Sequence, residues 1–178
     1  VYQSASAMRT VFASAQAHPQ RVIYAEGEDP RVLQAAQVVI DEGLAHPVLI
    51  GRTELIAARI EKLGLRLQLG VNCEGVNVHS DARFRDAWSE YYQLARRSGV
   101  TRELAMEEMR SRTTLIGAVL VRRGDAGAML CGTVGDYLDH LKYLRRVIGM
   151  RPGVTTVATM QMLILPERQL FICDTHVN

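Results

Sequence analysis

The sequence predicts an α/β fold built on a mostly parallel sheet. Short β-branched runs alternate with stretches of helical apolar spacing between residues 21 and 64, the pattern of successive βαβ units. The loops between them are short and marked by Asp29-Pro30, Gly43 and Gly64. Residues 122–153 then read as helix end, buried strand, glycine-bearing turn and a new helix with a basic side. That is how an α/β protein lays out a phosphate or carboxylate site.

Taken in order, Met8, Val11, Phe12 and Ala15 give residues 2–17 a helical spacing that His18-Pro19 ends, because the residue before proline avoids the α region. Residues 21–25 form a short buried strand, followed by the acidic turn Glu26-Gly-Glu-Asp29. Asp29 and Pro30 suit the N-cap and first position of a helix, with Val32, Leu33, Ala36, Val39 and Ile40 inward. Residues 46–51 are a second strand and 53–63 a second helix, with Leu55, Ile56, Ile60 and Leu63 inward. Val71, Val76 and Val78 suggest one short strand. Ser80 or Asp81 caps a helix carrying Trp88, Tyr91 and Tyr92, which read as a cluster at the core edge. Thr101 caps the next helix, and Leu115, Ile116, Val119 and Leu120 line another. Residues 126–131 are a strand, 132–135 a turn and 136–148 a helix. After Pro152-Gly153, residues 155–165 and 169–174 read as two strands joined through Pro166-Glu-Arg168.

The 178 residues suit one domain, or one domain and part of another. A formal charge of +2 makes no general case for nucleic acid or membrane binding, so any anion site must be local. Cys73, Cys131 and Cys173 form no CxxC pair, which argues for reduced thiols in a cytoplasmic protein. Cys131 reads as a small buried strand residue. No apolar run reaches the roughly 20 residues of a membrane span. The opening Val-Tyr-Gln-Ser lacks the basic segment of a signal peptide and reads as the cut edge of something longer.

The turn Gly132-Thr-Val-Gly-Asp136 lets a ligand approach backbone at a sheet edge, but it matches neither GxxxxGK[ST] nor GxGxxG. Asp136 also satisfies the helix amides itself, which favours an ordinary capped helix. Lys142, Arg145 and Arg146 share a helix face opposite Leu138, Leu141, Leu144 and Ile148. A phosphate clamp and a solvated face are evenly balanced there. Arg96-Arg97 and Arg110 with Arg112 are explained as cations at helix C-termini. His140 and His176 have no partner at metal-ligand spacing and read as hydrogen-bonded singly; Asp174-Thr-His176 lacks a GxSxG elbow.

Four stretches carry a resemblance: Tyr24-Ala-Glu-Gly-Glu-Asp with Arg31-Val-Leu; His46-Pro-Val-Leu-Ile-Gly51; Gly124-Asp-Ala-Gly-Ala-Met-Leu-Cys-Gly132; and Ile148-Gly-Met-Arg-Pro-Gly153. Together they resemble the phosphate acetyl/butyryl transferase family across essentially the whole chain. Tyr2-Gln-Ser, Thr113-Thr-Leu-Ile-Gly117 and Asp174-Thr-His-Val-Asn178 are more similar to the C-terminal phosphotransacetylase-like domain of large bacterial NADP-dependent malic enzymes. The resemblance implies a three-layer αβα fold of two α/β units with an acyl-CoA cleft between them. Residues 1–150 are then the first unit and 151–178 the start of a second, incomplete one. The family's downstream Ser-Arg and Asp catalytic residues would lie beyond Asn178, so no catalytic residue and no metal ligand is expected here.

One departure matters. Where active transferases read His-Ser-Thr-Ala-Asp-Thr, a residue, then Arg-Pro, this chain reads Gly135-Asp-Tyr-Leu-Asp-His, Leu141, then Lys142-Tyr143. Lysine does not replace a planar, two-toothed donor without loss. Arg96 is a shifted counterpart of the family's other arginine. Candidate binding residues for acetyl-CoA or phosphate are therefore Gly132, Thr133, Lys142, Arg145 and Arg96. The implied role is regulatory: acetyl-CoA as allosteric inhibitor of malate decarboxylation to pyruvate and CO2, transferase activity lost, and a homo-oligomer with a dimer formed through this domain. NADP and a divalent metal are expected only in a catalytic domain of the same polypeptide. The alternatives are a working phosphate acetyltransferase, with Lys142, Arg145 and Thr133 binding the anion, and a structural module without ligand.

Overall fold

The computed structural model describes residues 2–77, 79–165, 168–175 and 177. The chain divides into two compact units, residues 19–149 and residues 1–18 with 150–178. The N-terminal helix α1 (Tyr2–Ala17) therefore groups with the C-terminal strands.

In residues 19–149, four parallel strands stand in the order β3-β2-β1-β4, with β1 at Gln20–Tyr24, β2 at Ala45–Ile50, β3 at Glu74–Val76 and β4 at Ala128–Leu130. Tyr24 pairs in register with Leu49 of β2 and with Leu130 of β4. Side chains on a strand alternate between faces, and here each face has its own core. Tyr24 and Leu49 face Val32, Leu33 and Ala36 of α2 (Pro30–Asp41) and Ile56 and Ile60 of α3 (Thr53–Lys62). Ile23, Val48, Ile50 and Val76 face the other way. There they meet α4 (Arg83–Ala95), α5 (Arg102–Ser111), α6 (Thr113–Arg122) and α7 (Tyr137–Val147). The result is a three-layer αβα unit. The aromatic cluster of α4 lies as expected, with Tyr91 fully buried and Trp88 and Tyr92 packed at its margin.

The polar punctuation works as capping. Asp29 Oδ1 accepts from the Arg31 N–H at 2.8 Å, Thr101 Oγ1 from Leu104 at 3.2 Å, and Asp136 Oδ1 from Leu138 at 2.9 Å. Asp81 accepts from Arg83 at 2.9 Å, although Ala82 holds the N-cap position of α4.

Several expectations are corrected. The strand before the glycine turn is short and lies at the sheet edge, where Leu130 is 56% exposed and Cys131 half-exposed. Edge position follows from strand order, which local hydrophobicity does not encode. On α7 the inward residues are Tyr143 and Val147, whereas Leu138 and Ile148 are exposed. Val71 sits at the tip of an exposed turn and is outside β3. Val11 and Phe12 of α1 are also exposed.

In the other unit, β5 (Met160–Ile164) and β6 (Gln169–Cys173) pair antiparallel with Met162 opposite Phe171. Thr159 Oγ1 and N–H both donate to Asp174 Oδ1, closing the open end of the pair. Of the sequence expectations, Val78, Pro166-Glu167, His176 and Asn178 lie outside the described residues.

Candidate functional site

In this sheet β1 leads on to β2 on one side and is flanked by β4 on the other. The loops leaving β1 and β4 therefore diverge, and a crevice opens beyond their carboxyl ends. Ala25 N–H donates to the Leu130 carbonyl at 3.0 Å, so the two chains run side by side until they part. Immediately after, the Glu26 carboxylate accepts from the Gly132 N–H at 3.0 Å. Arg31 Nη2 donates to the Thr133 carbonyl at 3.3 Å.

Two adjoining recesses form the crevice. One, of about 260 Å³, is lined by Glu26, Arg112, Thr114, Asp136, His140 and Tyr143 among others. The next, of about 310 Å³, adds Glu28, Asp29, Gly51 and Arg59, and shares Glu26, Thr113 and Val134 with the first. The first turn of α6 opens into it, and Arg112 at the N-cap makes no side-chain capping bond.

The electrostatics are acidic but partly spent. Arg52 holds Glu28 in a two-toothed pair at 2.8 and 2.9 Å, and that hydrogen-bonded guanidinium lowers the carboxyl's pKa. The Arg59 guanidinium caps the Glu28 carbonyl. Asp29 grips Arg31 in the same way and is held down to about 2. Glu26, Asp136 and Asp139 remain as the carboxylates of the first recess, with Arg112 the arginine on its wall. Burial pushes the Cys131 thiol upward, and Glu26 pushes it further. It is therefore a poor nucleophile. Among the described residues no group of His, Cys, Asp and Glu is arranged to hold a metal ion.

The sequence candidates separate. Gly132 and Thr133 line neither recess but bond to residues at the crevice edge: Gly132's amide is taken by Glu26, and Thr133 contributes its carbonyl to Arg31. Lys142 is exposed, with Nζ 5.6 Å from the centre of the Tyr143 ring. Arg145 is exposed on the same helix, and Arg96 lies in the 3-10 turn after α4. None of the three lines either recess. Arg146 turns inward instead and donates to Tyr91 Oη at 3.0 Å. No motif or spacing in the sequence marks Glu26, Arg112, Thr114 or His140 as lining this crevice. The visible trace of Glu26 was the acidic turn after β1, whose meaning depends on β4 lying beside it.

This is a doubly wound α/β domain, and its crevice lies at the switch between β1 and β4, where such sheets present ligand sites. The chain belongs to the phosphate acetyl/butaryl transferase family, which it matches over residues 6–178. The phosphotransacetylase EutD of Staphylococcus aureus superposes with a TM-score of 0.84 at 21% identity, over 98% of this chain and 51% of that one. In sequence, the NADP-dependent malic enzyme of Salmonella typhimurium is 48% identical over 178 residues, and the NAD-dependent malic enzyme of Rhizobium meliloti 44% over 179. Each match takes in 100% of this chain but 24% and 23% of the enzyme. The chain thus spans about a quarter of those relatives, and is similar to their phosphotransacetylase-like part.

Proposed function

We propose that this chain is an acetyl-CoA-sensing domain of a bacterial NADP-dependent malic enzyme, placed C-terminal to the catalytic part, and that it carries out no acyl transfer. The observation behind the second half is the occupancy of the turn after β4. A phosphate at a helix start needs free amides and a cation. Here Glu26 takes the Gly132 amide, Asp136 takes the Leu138 amide, and Asp139 adds a third carboxylate to the recess. An acyl phosphate would have to displace like charges to sit there. The crevice itself supports the first half, because it lies beyond the carboxyl ends of parallel strands, where α/β sheets hold ligands.

Acetyl-CoA binding would inhibit malate oxidation in the joined catalytic domain by favouring one of its states. In this reading the domain is cytoplasmic and dimerises, while NADP and the divalent metal stay with the catalytic part.

The test uses the full-length polypeptide. Calorimetry should detect acetyl-CoA, malate-dependent reduction of NADP should fall as acetyl-CoA is added, and acetyl phosphate with CoA should give no acetyl-CoA. Robust transfer, lost in Lys142→Ala, would establish the transferase reading instead. Absence of binding would leave a structural module. Sedimentation of the full-length protein reads the dimer separately.

A further inference from the structure

Arg112 stands at the joint between α5 and α6. Its N–H closes α5 on the Glu108 carbonyl at 2.9 Å, and its carbonyl accepts from Leu115 and Ile116 of α6 at 3.0 and 3.2 Å. The Glu108 carboxylate in turn accepts from the Tyr91 and Tyr143 hydroxyls. The backbone under Arg112 is therefore fixed from both helices. Its side chain is uncommitted: among the described residues the guanidinium makes no hydrogen bond and no ion pair. Arg31 and Arg52 are by contrast each paired to a carboxylate of the neighbouring recess, Asp29 and Glu28. Arg112 thus brings its N–H donors to the wall of the smaller recess from a rigid base. The other charged groups of that recess are acidic: Glu26 from the loop after β1, and Asp136 and Asp139 from the start of α7. His140 ties the two sides together, with Nδ1 2.6 Å from Thr114 Oγ1 on α6 and Nε2 2.9 Å from the Val134 carbonyl oxygen. One cation and three carboxylates therefore share a braced cavity of about 260 Å³.

We propose that Arg112 is the phosphate anchor of this recess, and that the carboxylates around it make the site select a phosphate that arrives with N–H donors. A free phosphate or an acyl phosphate gains the guanidinium but meets three carboxylates with nothing to offer them. A nucleotide–amide conjugate such as acetyl-CoA brings both: phosphates for Arg112, and amide and amino N–H groups for the carboxylates. The identity of the ligand rests on the acetyl-CoA reading above, whereas the anchor rests on the recess itself.

The test uses the full-length protein, with NADP saturating the catalytic part. Calorimetry compares acetyl-CoA, ADP and acetyl-pantetheine, the last carrying amides without a phosphate. Arg112→Gln should weaken acetyl-CoA and ADP about 10- to 100-fold and leave acetyl-pantetheine unchanged. Arg112→Lys should fall between, since it keeps the charge without the planar fork. The urea midpoint should not move in Arg112→Gln, because backbone bonds hold the joint. In Asp139→Asn the affinity for inorganic phosphate, read by competition with ADP, should rise about 3- to 10-fold. Equal acetyl-CoA affinity in wild type and Arg112→Gln overturns the anchor. So does an equal loss for acetyl-pantetheine, which would make Arg112 a structural residue. Unchanged phosphate affinity in Asp139→Asn overturns the selection. If acetyl-CoA fails to bind but ADP binds through Arg112, the acetyl-CoA reading falls and the anchor stands; if neither binds, both fall.

Discussion

Gly27 sets the position of the crevice's acidic edge. Its N–H donates to the Ile50 carbonyl at 3.1 Å. A Cβ placed on it would meet Ile50 N and O at 2.8 Å and Leu49 Cβ at 2.9 Å. Those atoms belong to the end of a central strand and cannot swing aside as a side-chain tip can. Gly27→Ala should therefore cost about 2–3 kcal/mol, an overpacking effect, and pull Glu26 away from Gly132. Urea unfolding reads the first effect, and faster exchange at Gly132 reads the second; a loss below about 0.5 kcal/mol would show that β2 yields. In the sequence Gly27 is one glycine in an acidic turn, and nothing local separates it from a glycine needed only for bending. Asp136 was the opposite case. Its capping role followed from its position, and the 2.9 Å bond to Leu138 supplies it.

Among elements, α4, α5 and α7 converge on one carboxylate. Tyr91 Oη donates to Glu108 Oε2 at 2.5 Å, Tyr143 Oη to Oε1 at 3.2 Å, and Arg146 to Tyr91 Oη at 3.0 Å. Burial, then Glu108, pushes the Tyr91 phenol up to about 12 from 10.0. A phenol whose folded pKa is raised favours the folded state fully below the unfolded pKa, and the contribution is lost as pH rises through the folded one. Stability should thus fall between about pH 10 and 12 by roughly 2 kcal/mol. Tyr91→Phe should remove that slope while lowering neutral-pH stability by about 1–3 kcal/mol, because Arg146 and Glu108 lose a partner. Parallel alkaline profiles for the two proteins would refute the assignment. This node explains why α7 turns Tyr143 and Val147 fully inward while Leu138 and Ile148 of its apolar stripe stay exposed. The sequence shows a leucine stripe and a basic stripe, but His140, Tyr143 and Arg146 bury apolar bodies and aim polar ends at partners 26, 35 and 55 residues away. The β1–α2–β2–α3 stretch was legible because its helices and strands bury one face each and its caps are local. The crevice was not, since Glu26 and Gly132 meet across 106 positions.

At the scale of the whole molecule, the two units differ in how completely they bury their own apolar surface. Residues 19–149 close a core on each face of the sheet, with Ile23, Leu33, Leu49, Ile56, Leu115 and Val119 almost fully covered. In the other unit the strand pair is apolar on both faces. Met160, Met162 and Phe171 project one way and Leu163 and Ile172 the other, all exposed. Residues 150–159 before it are mostly exposed and carry little regular structure. Local opening is easiest where few apolar contacts must be broken. Within this chain, a protease of broad specificity should therefore cut first in 150–159 and leave a resistant fragment that contains 19–149. Amide exchange should be slowest in β1, β2 and α6, where the chain is covered from both sides. A first cut inside β2 or α6 would mean that the sheet is less stable than its burial indicates. If acetyl-CoA slowed exchange around 131–140 while leaving β2 unchanged, the ligand would be acting on the turn held by His140 rather than tightening the unit as a whole.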